Sequence, residues 1–265
     1  TSRLNFSQSF NGLGSLFATF IVGQFLFGAP IGERDVVVPY TILGILVLFI
    51  AFVFSRVHLP EMKHAESIDD EVEGTRIMKL FRYHPLFVFG LFALLAYEVS
   101  EISINSYFIN FMTGEGYMDD NTASVVLTIA LGFFMVGRFV GSWLMQYIRA
   151  EILLLICAAG SVTCMIVVLL GLGKVSMAAL ISNYLFEAIM FPTIFSLALN
   201  GLGNLKKSAA SLLMMTPIGG CGFLLMGIIA DASNLIAPFV IPLFGYFVVL
   251  LFASELLRKS HETMS

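Results

Sequence analysis

Three glutamates of this 265-residue chain stand inside long stretches that otherwise carry almost no charge. Glu98 and Glu101 interrupt residues 85–114, and Glu187 interrupts residues 175–205. If such stretches cross a bilayer, an acid near their centre costs about 2.5–3.5 kcal/mol to insert, which makes it a candidate functional group. Glu98, Glu101 and Asn105 fall at i, i+3 and i+7, on one face of a helix. Arg138, the basic residue inside the following stretch, is expected near the end of its span and out of reach. The three acids therefore have no expected basic partner. They are expected to be neutral, to face a wet cavity, or to pair with a group outside these residues. Each is a proton-coupling candidate; the plainer role is a hydrogen bond to a neighbouring helix.

Other residues could serve the same chemistry. Pro192 follows Glu187 by five positions and has no amide donor, so the carbonyl of Ala188 loses its helical partner. A broken helix beside a buried acid is a recurring way to build a transporter site. Pro217 does the same in the next stretch, beside Gly219, Gly220 and Gly222. These glycines, and the Gly137-x-x-x-Gly141 pair, equally suit close helix packing. Amides both donate and accept hydrogen bonds, as a hydroxyl-rich solute requires. Gln8 and Asn11 lie on the first stretch, Asn105 and Asn110 on the third and Asn183 on the sixth. The rings of Phe191, Tyr97 and Tyr184 suit stacking on a pyranose, although in a chain that is 13% aromatic each is as readily a packing residue. On residue types and spacing alone, these groups point to a transporter of a small polar solute.

Membrane helices are the elements that must position them. The chain is 58% hydrophobic and 12% charged, about half the usual charged share of a soluble domain. Its mean hydropathy is +0.92. This composition excludes a soluble enzyme, a disordered chain and a disulfide scaffold. Residues 4–32, 36–55, 85–114, 121–148, 152–173, 175–205, 208–230 and 232–254 each meet the roughly 20 residues needed to cross a bilayer. They predict eight helices in an all-α, polytopic membrane protein. The stretches do not alternate with period two, which argues against a β-barrel. The polar start and long first stretch do not resemble a cleavable signal peptide.

With eight spans, both ends of the chain share one side. Arg3, Arg56, Lys63, Arg76, Lys79, Arg82, Arg149, Lys206, Lys207, Arg258 and Lys259 lie on that side, against Arg34 and Lys174 on the other. The bias predicts that both ends are cytoplasmic, in a multi-pass protein of the cell membrane. Trp143 and Tyr147, beside Arg149, suit an interfacial anchor. Residues 58–84 are the one long charged connection. They divide the chain into two helices (1–57), a cytoplasmic linker (58–84), a six-helix bundle (85–257) and a cytoplasmic tail (258–265). Six helices, a central loop and six more is the plan of the major facilitator fold. On that plan four helices are missing from the front, and they are the expected partner of this chain together with the lipid bilayer.

Rival chemistries find little support. Cys157, Cys164 and Cys221 lie in apolar stretches without metal-ligand spacing. The four histidines, His58, His64, His84 and His261, lie at the linker side, and no nucleophile–base pair falls within a span, so no enzyme is expected. No metal is expected. The net charge of −4 and the absence of a basic patch argue against nucleic acid.

Several stretches resemble the fucose–galactose–hexose:proton symporter family of the major facilitator superfamily. Residues 3–14, from Arg3-Leu-Asn-Phe to Asn11 and Gly14, resemble the start of its fifth helix. Glu101-Ile-Ser-Ile-Asn-Ser-Tyr-Phe-Ile-Asn110 resembles the seventh, in the form carried by glucose/galactose transporters. Gly137-Arg-Phe-Val-Gly-Ser-Trp143 resembles the end of the eighth, and Phe191-Pro-Thr-Ile-Phe-Ser-Leu-Ala-Leu199 the tenth. Pro217-Ile-Gly-Gly220 with Met226-Gly-Ile-Ile-Ala-Asp231 resembles the eleventh. The resemblance implies a secondary active transporter for a hexose or deoxyhexose, covering helices five to twelve. It would work by alternating access, driven by a proton gradient and without a cofactor. It further implies that Gln8 and Asn11 bind sugar from the N-terminal half, and that Glu101, Asn105 and the Asn183–Glu187–Phe191 region face the cavity from the C-terminal half. The family's fucose carriers have Tyr where Phe191 stands, which removes one hydroxyl contact. Its proton-carrying carboxylates lie on helices one and four. A non-transporting sugar sensor or degenerate transporter piece, and a same-fold carrier of another small polar solute, remain as alternatives; Glu187 is the best motive for the last.

Overall fold

The computed structural model describes residues 37–56 and 73–262, together with Gly14, Phe17 and Ala18. Two helices, α1 (Val37–Arg56) and α2 (Glu73–Tyr83), precede the main bundle. Then follow α3 (Pro85–Gly114), α4 (Asp120–Leu144), α5 (Ala150–Leu169), α6 (Lys174–Glu187), α7 (Met190–Ala198), α8 (Lys206–Leu213), α9 (Gly222–Ala232) and α10 (Val240–Glu262). There is no strand among the described residues.

Six segments among the described residues are long and apolar enough to cross a bilayer: Pro85–Gly114, Asp120–Leu144, Ala150–Leu169, Lys174–Ala198, Gly203–Ala232 and Ala237–Ser260. They correspond to the last six expected spans. Tyr40–Arg56 is a shorter apolar helix, and most of the first expected span, 4–32, lies outside the described residues. Two of the six segments are not single helices. Lys174–Ala198 breaks between α6 and α7, three to four residues before the amide that Pro192 lacks. Gly203–Ala232 is divided by a tighter 3-10 stretch, Thr216–Cys221, that begins beside Pro217.

Local chemistry sets the ends. Pro85 stands in the first turn of α3, where a missing amide costs nothing. Asp119 caps α4, accepting hydrogen bonds from the Thr122 hydroxyl at 2.6 Å and the Thr122 amide at 3.3 Å. Those bonds hold its carboxyl below the usual range. The linker contains more order than the sequence suggested: α2 forms in its last part, burying Leu80 and packing on α3 and α8. The last helix runs to Glu262, into the residues expected as a tail.

Helix α3 is the centre of the bundle, packed against α4, α7, α9, α10 and the Thr216–Cys221 stretch. On its far side α5 packs against α6 and α10, and α4 packs against α6. Close approach depends on glycine at the α4–α6 crossing. A Cβ on Gly137 would stand 2.8 Å from the Ala188 Cβ and 2.9 Å from the Leu185 carbonyl. The core is strongly aromatic: Phe111 meets Phe239 edge-on at 4.9 Å, and Phe108 meets Tyr184 at 6.0 Å. Phenylalanine, leucine and isoleucine also cover much of the outer surface, as expected where the solvent is lipid.

Candidate functional site

Glu187 is the last residue of α6, and no part of its side chain is exposed. Asn183, one turn earlier, lies on the same face. Glu187 Oε2 accepts from Asn183 Nδ2 at 2.8 Å and from the Tyr246 hydroxyl of α10. The same Asn183 nitrogen lies 3.1 Å from the Tyr246 oxygen, so three polar groups close a buried triangle. Oε1 of Glu187 and Oδ1 of Asn183 have no partner.

The break that follows exposes backbone carbonyls, and side chains from other helices cap them. The Tyr97 hydroxyl of α3 donates to the Glu187 carbonyl at 3.1 Å. Arg138 Nε of α4 donates to the Ala188 carbonyl at 3.0 Å. Ala188 is the residue whose helical partner Pro192 removes, so the donor that proline lacks is replaced by arginine. This corrects the expected isolation of Arg138. Its side chain is buried, packs over the Phe134 ring at 4.5 Å, and lies within electrostatic reach of Glu98, Glu101 and Glu187. Counting residues along the span misjudged its depth. Side chains on a helix tilt toward its N-terminus, which for α4 lies at the end away from Arg149. The long side chain therefore carries its guanidinium back toward the middle of the span.

The α3 wall is more open. Glu98 is buried, while Glu101 and Asn105 are half-buried. The Tyr97 hydroxyl also lies close to the Glu101 side chain, so one tyrosine connects the wall to the α6 break. Asn105 Oδ1 has no partner. Further along, exposed Asn110 joins Ser106, Tyr107, Phe223 and Asp231 around a cavity of 400 Å³ between α3 and α9. That volume is within the range of small-molecule sites. Phe191, in the first turn of α7, is half-buried and stacks on Phe195 with ring centroids 6.1 Å apart. Tyr97 and Tyr184, which the sequence offered as stacking rings, are wholly buried and belong to the core. Gln8 and Asn11 lie outside the described residues.

The structure thus gathers the candidates into two sets. Asn183 and Glu187 form a closed interior pair; Glu98, Glu101 and Asn105 line one face of α3. Tyr97 and Arg138 bridge the sets. The sequence reading gave no role to Tyr246. A signal for it existed, since its hydroxyl is the one side-chain polar group within residues 235–253, and a buried tyrosine hydroxyl usually finds a partner. No group of His, Cys, Asp and Glu among the described residues has the arrangement of a metal site.

No family model matches the chain. A glucose/galactose transporter of Brucella abortus is 30% identical over 255 residues, which cover 92% of this chain and 61% of that protein. A putative glucose/galactose transporter of Helicobacter pylori is 30% identical, covering 93% and 63%. The L-fucose-proton symporter of Escherichia coli is 28% identical, covering 95% and 63%. A crystal structure of FucP, a major facilitator superfamily transporter in the outward conformation, superposes with a TM-score of 0.77 at 25% identity, covering 96% of this chain and 68% of that one. The chain therefore spans less than two thirds of the length of the curated relatives it matches. The superposition gives the bundle the major facilitator fold. Within that superfamily, the chain is a homologue, along nearly its whole length, of the glucose/galactose transporters and L-fucose–proton symporters.

Proposed function

We propose that this chain is part of a secondary active transporter that takes up a hexose or deoxyhexose together with protons, by alternating access. The observation that carries the proposal is similarity along more than nine tenths of the chain to proteins named as glucose/galactose transporters and an L-fucose-proton symporter. The α3 wall supports it, because half-buried Glu101 and Asn105 bring a carboxyl and an amide to one face, the kinds of donor and acceptor a sugar needs. Glu101, Asn105 and Phe191 are the proposed ligands from this bundle, with Gln8 and Asn11 contributing from the first span. Asn183 and Glu187 stand behind the wall and shape the α6 break. Glu98 and Glu101 are the better placed proton carriers of the three acids, and the proton gradient is the proposed energy source. Both ends of the chain are proposed to be cytoplasmic, from the basic-residue bias.

A companion set of N-terminal helices is proposed to complete the cavity. The described side chains of α1 are exposed, and α1 has no extensive contact with the bundle. Residues 1–265 by themselves are accordingly expected not to move sugar in vesicles. The test is uptake of labelled glucose, galactose or fucose into proteoliposomes that hold the complete transporter. Accumulation should require an inward proton gradient and collapse with a protonophore. Uptake that ignores the gradient would remove proton coupling, and no uptake of any hexose would remove the substrate class.

A further inference from the structure

The Asn183–Glu187 pair carries two loose ends that a single proton can tie. The two groups are already joined by the 2.8 Å bond from Asn183 Nδ2 to Glu187 Oε2. Their other oxygens, Glu187 Oε1 and Asn183 Oδ1, are both buried and both without a partner. An ionised carboxylate only accepts, and so does an amide oxygen, so in that state neither can satisfy the other. A protonated Oε1 can donate, and the orphaned amide oxygen of the same pair can accept.

We propose that Glu187 is a proton-binding site: it stays a neutral acid whose Oε1–H donates to Asn183 Oδ1, closing a cyclic acid–amide pair within the bundle. The surroundings agree. Both hydrogen bonds to the carboxyl come from the neutral groups Asn183 and Tyr246. The groups that face Glu187 are Tyr97 and Glu101 from α3, Arg138 from α4, Cys164 from α5, Tyr246 from α10 and Tyr184 on its own helix. The one cation in that set donates from its Nε to the Ala188 carbonyl. A charge buried among neutral donors is costly, and the proton removes it. The pair also has a task. It fixes the last turn of α6, so that the Glu187 and Ala188 carbonyls meet Tyr97 and Arg138 at the break. Glu187 is a positioning residue whose proton does not turn over, whatever the protein transports.

The test uses infrared spectra and thermal unfolding of the whole protein in lipid bilayers, neither of which requires transport. The native protein should show the carbonyl stretch of a protonated carboxylic acid that disappears in Glu187→Gln and persists in Glu101→Gln. Asn183→Leu should move that band to higher frequency, because the acid loses its amide partner. Glutamine can make the same two bonds without a titratable proton, so Glu187→Gln should melt within about 2 °C of the parent, whereas Glu187→Ala should melt roughly 4–8 °C lower. The absence of a Glu187 acid band in the native protein overturns the proposal. So does a Gln variant as destabilised as the Ala variant.

Discussion

Glu187 and Glu101 are the same residue type, near the middle of spans in the same bundle, yet their settings differ. Glu187 is closed in by Asn183 and Tyr246, with no exposed surface. Glu101 is half-buried on α3, beside Tyr97 and followed by Asn105, whose amide oxygen has no partner. The difference teaches that depth in a membrane does not define a role. What matters is what surrounds the carboxyl: Glu187 is enclosed by Asn183 and Tyr246 of the bundle, while Glu101 keeps some exposed surface. The two are linked through Tyr97, which reaches the Glu101 side chain and the Glu187 carbonyl, and through Arg138, whose charge acts on both.

Removing the shared arginine should blur the contrast most. Arg138→Ala leaves the Ala188 carbonyl without its donor and the Glu98 and Glu101 carboxyl groups without a nearby cation, and should cost about 3–5 kcal/mol of stability. Arg138→Lys keeps the charge but not the planar Nε donor, and should fall between the parent and the alanine variant. Thermal unfolding in lipid checks both; equal losses would show that charge is irrelevant there. Gly137→Leu pushes α4 off the break at Ala188 and should cost about 1–3 kcal/mol by overpacking, again read from unfolding. Tyr97→Phe keeps the ring and removes the hydroxyl that connects wall and interior. It should cost only about 0.5–1.5 kcal/mol, and it should alter hexose affinity as well as stability. A change in stability without any change in affinity would separate the two regions.

The helices were legible in the sequence because bilayer crossing demands long uncharged stretches, and the last six expected spans coincide with the six membrane-length segments. Pro192 announced both the break between α6 and α7 and the carbonyl it would orphan. Other features were hidden for physical reasons. The donor to that carbonyl comes from another helix, so no spacing within the span could reveal Arg138. Its reach toward Glu98, Glu101 and Glu187 depends on the direction of its side chain rather than on its position. Tyr246 looked like one more apolar aromatic, because a hydroxyl carries no periodic signature. The part of the linker that forms α2 carries enough charge to mask a stripe of Ile77 and Leu80. Within the candidate site, the α3 face of Glu98, Glu101 and Asn105 could be drawn from helical periodicity, while the enclosure of Asn183 and Glu187 required knowing which helices stand behind them.

The sugar-facing role of the α3 wall is tested most directly by Glu101→Gln in the complete transporter, with hexose affinity measured alongside counterflow exchange and gradient-driven accumulation. Glutamine keeps the size of the side chain and cannot titrate. If Glu101 is a sugar ligand, the variant should bind hexose roughly 10- to 100-fold more weakly, the loss expected for one charged hydrogen bond, and still accumulate sugar against a gradient. Retained exchange with lost accumulation would make it the proton carrier instead. Unchanged affinity together with unchanged accumulation would contradict the account and leave Glu101 as a packing residue.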